Sequence, residues 1–303
     1  MASQPILAYG GQAVIEGVMM RGSRWMAVAV RAPDQHIVVQ TRPLGRLYRG
    51  SIGRIPFLRG MLGIWDALGL GWQSLSYSAS VAVGYEVPMD GPMAWGTMAV
   101  SMLVGAGVFL LAPAGLAQLS ERWLPMSALA SNLVEGALRL ALVVGYLWLI
   151  GFLPDVKRLF AYHGAEHKTI HAFEAGADLT PSSVARFPLE HPRCGTAFLL
   201  TVVVFSVVLF SLLGPLPWWA RLASRLLLIP VVAGIAFEYI RLTAQHLDNP
   251  FVRLLVVPNL VLQRLTTRQP DEQMLEVAIA AFNAMRAGDT QPGVLLAEQP
   301  LSA

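Results

Sequence analysis

The chain has 303 residues, of which 55% are hydrophobic and only 14% are charged, and its mean hydropathy is +0.54. This balance excludes an ordinary soluble domain and indicates a membrane protein. The net charge of +3 requires no nucleic-acid partner, because basic residues beside membrane spans face anionic lipid headgroups. The single cysteine, Cys194, excludes an intramolecular disulfide and is typical of a reducing compartment.

The N-terminal region, residues 1–54, is predicted to contain a small β-hairpin. Trp25–Val30 and His36–Thr41 are rich in strand-forming residues, and turn-forming residues lie between them. The next region, 55–92, is rich in Leu, Trp and Gly but is flanked by arginines. We interpret it as an amphipathic helix that lies in the membrane interface, followed by a linker. A membrane span over residues 55–77 is the alternative.

Four later stretches are long enough to cross about 30 Å of hydrocarbon at about 1.5 Å per residue. They are Met93–Gln118, Asn132–Leu153, Cys194–Leu213 and Trp218–Ile240. The last is the weakest, since Arg221 and Arg225 shorten its apolar part and Pro230 predicts a kink. The predicted fold is therefore an all-α polytopic membrane protein with about four transmembrane helices and a small N-terminal cytoplasmic region that contains a β-hairpin. Its two transmembrane hairpins cover residues 93–153 and 194–241.

Positive charge predicts the orientation of these spans. Of the 22 Lys and Arg residues, 18 fall on one side of the four-span arrangement. The positive-inside rule places that side in the cytoplasm, with both termini and the loop 154–193. Residues 242–287 are predicted to form cytoplasmic helices, the last of them amphipathic and opening near Gln269. Residues 288–303 are predicted to be a disordered tail.

The loop 154–193 carries a segment in which chemistry is expected. Residues 163–174 contain three of the chain's six histidines and two carboxylates. Pro154 and Gly176 favour a helix over about 155–175. On such a helix each residue advances about 100°, so the polar residues of the segment gather on one face. That face carries His163, His167, Ile170, His171 and Glu174, with Glu166 at its edge.

The same segment begins with the inverted zinc-protease pattern H-x-x-E-H, in which two histidines hold a metal and the glutamate polarises its water. Eight residues of helix rise about 12 Å, so His163 and His171 cannot bind one ion. Two sets stay open: His163 and His167 with Glu166, or His167 and His171 with Glu174. His191 and Cys194 can complete either set, and Glu238 is a possible distant ligand. The predicted cofactor is a divalent, zinc-like metal. The candidate ligands are His163, His167, His171, Glu174, His191, Cys194 and Glu238, and Glu166 is the candidate general base for hydrolysis.

Two other interpretations stay open. The histidines and carboxylates can pair with one another, with lipid phosphates or with the N-terminal arginines, in which case the protein is a non-enzymatic scaffold. Charged residues within the spans instead suggest a transporter or channel. These are Glu135 with Arg139, and Arg221 with Arg225, each pair at i, i+4 spacing. All four lie toward the outer end, where long side chains can extend to the membrane surface and an ion pair is tolerated.

Five runs of residues closely resemble the DUF1385 family, the YqhQ-like bacterial membrane proteins. They are 10–21 (GGQAVIEGVMMR), 56–60 (PFLRG), 163–168 (HGAEHK), 191–196 (HPRCGT) and 265–267 (LTT). The resemblance covers about residues 8–286. It implies a multi-pass protein of the bacterial inner membrane and a predicted metal-dependent enzyme, a label that itself rests on the histidine motif. The implied partner is the lipid bilayer, and a homo-oligomer or a membrane-protein partner stays open.

Overall fold

The computed structural model describes residues 9–45, 55, 57–84 and 91–290. A four-stranded antiparallel sheet in the order β1-β2-β3-β4 precedes the helices. The strands are β1 (Gly10–Val14), β2 (Gly17–Arg21), β3 (Trp25–Arg31) and β4 (Ile37–Pro43). The helices are α1 (Leu58–Val83), α2 (Pro92–Ala106), α3 (Ala112–Ser120), α4 (Ala128–Ile150), α5 (Pro154–Glu174), α6 (Pro181–Val184), α7 (Gly195–Leu212), α8 (Trp218–Leu227), α9 (Ile229–Gln245), α10 (Pro250–Thr266) and α11 (Glu272–Thr290). A π-helical turn, Gly107–Leu111, joins α2 to α3.

The predicted β-hairpin is confirmed as β3 and β4, with Trp25 opposite Pro43 and Arg31 opposite Ile37. It is part of a larger sheet, because β1 and β2 form a second hairpin that pairs with β3. The turn between β1 and β2 places Glu16 at a φ of 51°, a conformation that few residues other than glycine adopt. The turn residues are Ile15 and Glu16, which are not among the usual turn formers, so the second hairpin was not predicted.

The two central strands of the sheet, β2 and β3, are buried on both faces. Side chains alternate along a strand, so neighbouring residues of β2 and β3 face opposite sides. One side packs against α5 and α11 and the other against α1. The residues on the α5 and α11 side are Val18, Met20, Ala27 and Ala29. The residues on the α1 side are Met19, Met26, Val28 and Val30, together with Val14 and Leu44.

Helix α1 connects the sheet to the helical bundle. Tyr77 and Val81 pack against the sheet, and the Ser78 hydroxyl accepts a hydrogen bond of 3.2 Å from the Ile15 amide. At its other end the ring of Phe57 lies so close to Gly234 of α9 that a Cβ there would stand 2.7 Å from it. Among the described residues, α1 is not one of the helices that are long and apolar enough to cross a membrane. The interfacial position predicted for 55–92 stays a prediction.

Two helical segments of the described residues are long and apolar enough to cross a membrane: Trp95–Ser120 and Ala128–Ile150. A third segment of this kind exists if α8 and α9 together form one span, although the two helices meet at a bend of 46° beside Pro230. The apolar part of α7, Phe198–Leu212, is shorter than a full span. The structure thus supports two or three spans, and the prediction of four is not confirmed. The reason is that the apolar part of α7 is shorter than the roughly 20 residues that a full span needs.

The C-terminal helix α11 completes the sheet layer. Met274, Ala278 and Phe282 are buried in the core that it shares with the sheet and α5. The first three residues of the predicted disordered tail, 288–290, continue this helix, whereas 291–303 lie outside the described residues. The stripe of apolar residues predicted for the amphipathic helix is therefore the surface that packs on the sheet.

Asp289, in the last turn of α11, holds the turn between β2 and β3. Its Oδ1 accepts hydrogen bonds of 2.9 Å from the amides of Arg24 and Trp25, and its Oδ2 accepts one of 2.9 Å from the amide of Ser23. A carboxylate that accepts several backbone hydrogen bonds fixes the conformation of the turn. These bonds tie the two ends of the described chain together.

We expect Asp289→Ala to destabilise the detergent-solubilised protein by about 2–3 kcal/mol, because three backbone donors lose a charged acceptor. The midpoint of thermal unfolding, followed by tryptophan fluorescence, should fall by about 5 °C or more. Thr290→Ala is the matched control, since Thr290 is exposed and bonds only within its own helix. Equal midpoints for the two variants would contradict the role assigned to Asp289.

Candidate metal centre

Helix α5 presents the histidine-rich segment, and its bounds follow from local sequence. Pro154 occupies the first turn with Asp155, and Gly176 follows the helix at a φ of 70°. Gly164 allows a close crossing, because a Cβ there would stand 2.2 Å from the carbonyl oxygen of Arg268. The chain that leaves α10 therefore passes directly over α5, beside His163.

One group of side chains on this helix is suited to hold a metal. His163, His167 and Cys194 each offer a ligand atom, and the three atoms lie within 4.8 Å of one another. The Nε2 of His163 is 3.2 Å from the Cys194 sulfur. His167 and Cys194 are buried, and the Nε2 of His167 is buried without a hydrogen-bond partner.

Backbone carbonyl groups orient both imidazole rings of this group. The Nδ1 of His163 lies 2.8 Å from the carbonyl oxygen of Thr266, and the Nδ1 of His167 contacts the carbonyl oxygen of Leu189. A carbonyl only accepts, so each Nδ1 carries the proton and each Nε2 keeps its lone pair. This is the outer-shell arrangement that protein metal sites use to fix the tautomer of a histidine ligand.

Burial keeps the imidazole of His167 uncharged. It lowers the pKa of His167, and the neighbouring Cys194 only partly offsets that effect. A neutral imidazole is the form that binds a metal. The donor set of two imidazoles and one thiol is typical of zinc among divalent metals.

A second group of potential ligands lies one turn further along α5. His171, Glu174 and His191 also have ligand atoms within 4.8 Å of one another. The Nδ1 of His191 accepts a hydrogen bond of 3.3 Å from the Arg193 amide, so its proton is on Nε2, which faces Glu174 at 3.5 Å. Arg193 also forms an ion pair with Glu174. Burial lowers the pKa of His191 to about 4. Arg193 thus engages Glu174, and the carbonyl oxygen of Glu190 engages His171, so this group is less suited to a metal than the first.

Glu166 is buried beside the first group. Its pKa is raised to about 8, chiefly by burial, while His163 opposes the shift and Cys194 adds to it. The amide of Gly11 in β1 donates a hydrogen bond to its carboxyl group, and the Oε2 atom has no hydrogen-bond partner among the described residues. A Cβ on Gly11 would stand 2.9 Å from the Glu166 carboxyl carbon, so only glycine permits this approach. Glu166 is positioned to hold and release a proton next to the histidines.

The sequence predicted the histidine face of α5 but left open which of its residues form one group. Of the two sets left open, His163 and His167 completed by Cys194 agrees with the first group. The other set, His167 with His171 and Glu174, does not form, because His171 and Glu174 are grouped with His191. Glu238 belongs to neither group. Its carboxylate pairs with Arg59 at 2.7 Å and accepts a bond of 3.0 Å from the Phe57 amide.

Gln263 of α10 is a supporting residue that sequence reasoning missed. It is fully buried, its Oε1 accepts a bond of 2.8 Å from the His191 amide, and its Nε2 donates one of 2.9 Å to the His191 carbonyl. This pair of bonds fixes the chain just before Cys194. A buried glutamine is not recognisable from sequence alone. Thr266, whose carbonyl oxygen orients His163, lies in the run 265–267 that resembles the family.

The chain is thus a mostly helical protein in which two or three helical segments are long and apolar enough to cross a membrane, and it carries a candidate metal centre of histidines and a cysteine. Residues 55–287 match the family model described as "Protein of unknown function (DUF1385)", so the chain belongs to that family, as the sequence runs predicted. It is 36% identical over 294 residues to "Uncharacterized protein YqhQ" of Bacillus subtilis (strain 168), with 92% of each chain covered. No solved structure matches the chain significantly.

The buried carboxyl group gives a prediction on pH. In chelator-treated protein the folded state holds the Glu166 proton up to a pKa of about 8, whereas the unfolded chain releases it near 4.5. The folded state binds the extra proton between these values, so stability should fall as pH rises, by up to about 1.4 kcal/mol per pH unit from this group. Glu166→Gln should remove this part of the fall.

The measurement is the midpoint of thermal unfolding of both proteins from pH 5 to pH 8.5. Glu174→Gln serves as a control, since Glu174 is exposed and ion-paired. Parallel curves for the wild type and Glu166→Gln would show that the carboxyl group is not held protonated by burial.

Proposed function

We propose that the chain is a multi-pass protein of the bacterial inner membrane with about four spans and both termini in the cytoplasm. The packing of the sheet supports this, because N-terminal strands, α5 and the C-terminal α11 share one core and so must lie on the same side of a membrane. The distribution of Lys and Arg supports the cytoplasm as that side. The lipid bilayer is the proposed partner.

Cysteine labelling tests this orientation. Ser182 and Leu124 are exposed residues that the four-span arrangement places on opposite sides. We expect a membrane-impermeant maleimide to label Leu124→Cys in intact spheroplasts and Ser182→Cys only after permeabilisation. The native Cys194 is buried, so the unsubstituted protein is the blank. Labelling of Ser182→Cys in intact cells would contradict the proposed orientation.

The proposed function of the cytoplasmic face is metal-dependent hydrolysis. The observation that supports it best is the convergence of two Nε2 lone pairs and a thiol, each imidazole being fixed by a backbone carbonyl. His163, His167 and Cys194 would hold a zinc-like ion. When bound, such an ion supplies Lewis acidity for hydrolysis.

Glu166 is the proposed general base. Its buried carboxyl group has a pKa of about 8 without a metal, and a bound cation beside it would lower that pKa toward the range that suits proton transfer at neutral pH. Its free Oε2 is the atom that would receive a proton, and the Gly11 amide holds the other part of the group. The histidines and Cys194 would bind the ion, and Glu166 would accept a proton during hydrolysis.

Metal content tests the proposal directly. Protein purified in detergent without chelator should contain about one zinc-like ion per chain by elemental analysis. His167→Ala and His163→Ala should each lower metal affinity at least tenfold, the usual effect of removing a ligand or its support. His171→Ala is the matched control, one turn along the same helix, and should keep the metal. Metal-free protein that gains no thermal stability from added Zn²⁺, Mn²⁺ or Fe²⁺ would contradict a metal centre.

Glu166→Gln separates catalysis from metal binding. It should keep the fold and the metal but fail to restore function in a complementation assay, because glutamine cannot accept the proton. A transporter, the alternative that the buried charges of α4 and α8 favour, would show the opposite pattern. In that case Glu135→Gln would abolish function and Glu166→Gln would be mild. Wild-type function of Glu166→Gln would contradict the catalytic assignment.

A further inference from the structure

A second cluster of charge lies at the opposite end of the bundle from the histidines, where α4 meets α8. Arg139, Arg221 and Arg225 are no more than 7% exposed and surround Glu135, which is 1% exposed. Glu135 accepts bonds of 2.8 Å from Arg139, 2.6 Å from Arg225 and 3.3 Å from Arg221. The expected ion pair is present between Glu135 and Arg139, but the arginines are buried against the carboxylate of Glu135 and do not extend to the surface.

The cluster forms one wall of a cavity of about 110 Å³. The cavity lies between the connection from α3 to α4 and the connection from α7 to α8, and its polar lining consists of Glu121, Ser131, Asn132, Arg221 and Arg225. Its volume is well below the roughly 300 Å³ at which pockets for drug-sized ligands begin, so it suits a small polyatomic ion.

Positive charge exceeds negative charge in this cluster. Three arginines, Arg139, Arg221 and Arg225, face the two carboxylates Glu121 and Glu135, which leaves one positive charge. Arginine stays charged in proteins, and a buried charge without a counter-charge is costly. The cluster therefore lacks one negative group.

Arg221 shows where that group would bind. Its Nη1 donates 2.7 Å to Glu121 and its Nη2 donates 2.7 Å to Ser131, whereas its Nε is buried and has no hydrogen-bond partner among the described residues. The guanidinium fork matches the oxygens of a phosphate group better than it matches a spherical halide. Arg221 lines the cavity, and its Nε carries a hydrogen that no group among the described residues accepts.

We propose that this cavity binds one phosphate group, with Arg221 as its principal donor. The surroundings include exposed Trp123, Trp218 and Trp219, at 81%, 63% and 62% exposure, and tryptophan is enriched at the level of lipid headgroups. The phosphate group thus comes either from an anionic phospholipid of the outer leaflet or from free phosphate.

The test uses full-length, delipidated protein in a non-ionic detergent. Inorganic phosphate should raise the midpoint of thermal unfolding, with chloride at the same ionic strength as its control. Phosphatidylglycerol should also raise the midpoint, with phosphatidylcholine as its control. A response to inorganic phosphate identifies a free anion as sufficient, and a response to phosphatidylglycerol alone identifies a lipid headgroup. Arg221→Gln should weaken the response at least tenfold in concentration. Arg122→Gln is the matched control, because it removes the same charge from an exposed neighbouring site.

Glu121→Gln gives a result that misfolding cannot imitate. It removes the carboxylate that competes for Arg221, so the same titration should shift to lower concentration, by about tenfold. No stabilisation of the wild type by either probe would overturn the proposal. An unchanged midpoint concentration in both Arg221→Gln and Glu121→Gln would overturn it equally.

Discussion

Polar groups buried inside a protein must find hydrogen-bonding partners, and the polar face of α5 imposes this constraint on everything around it. Lys168, His167 and His171 all bond to backbone carbonyls of the single stretch between α6 and α7. His163 instead bonds to the end of α10. The carbonyl groups that serve this face belong to Ala185, Phe187, Leu189, Glu190 and Thr266. The course of that stretch is therefore set by the side chains of α5.

Interactions between residues close in sequence made part of the candidate centre predictable, and contacts between distant residues determine the rest. Local signals at Pro154 and Gly176 determine the limits of α5, and a period of about 3.6 residues determines its histidine face, so both could be read from sequence. The division of that face could not. It depends on where Cys194 and His191 lie, and the latter is held by Gln263, which is 72 residues away.

The fold shows the same distinction. The hairpin of β3 and β4 and the first two long apolar helices were predictable because strand formers and apolar runs act locally. The hairpin of β1 and β2 was not, since its turn depends on Glu16 in a rare conformation stabilised by the surrounding sheet. Arg139, Arg221 and Arg225 are buried because they pair with Glu135, and a hydropathy profile does not predict which charged residues pair.

The contact between Asp289 and the turn at Ser23–Trp25 also bears on how the chain is made. The first strands leave the ribosome early, yet the helix that covers them is synthesised about 250 residues later, after every apolar helix. Until then α5 alone covers the face that carries Val18 and Met20, and partly exposed apolar strands attract chaperones and proteases. The core between the sheet, α5 and α11 is thus complete only after α11 has been synthesised. A chain that stops short of α11 remains recognisable to quality control as unfinished.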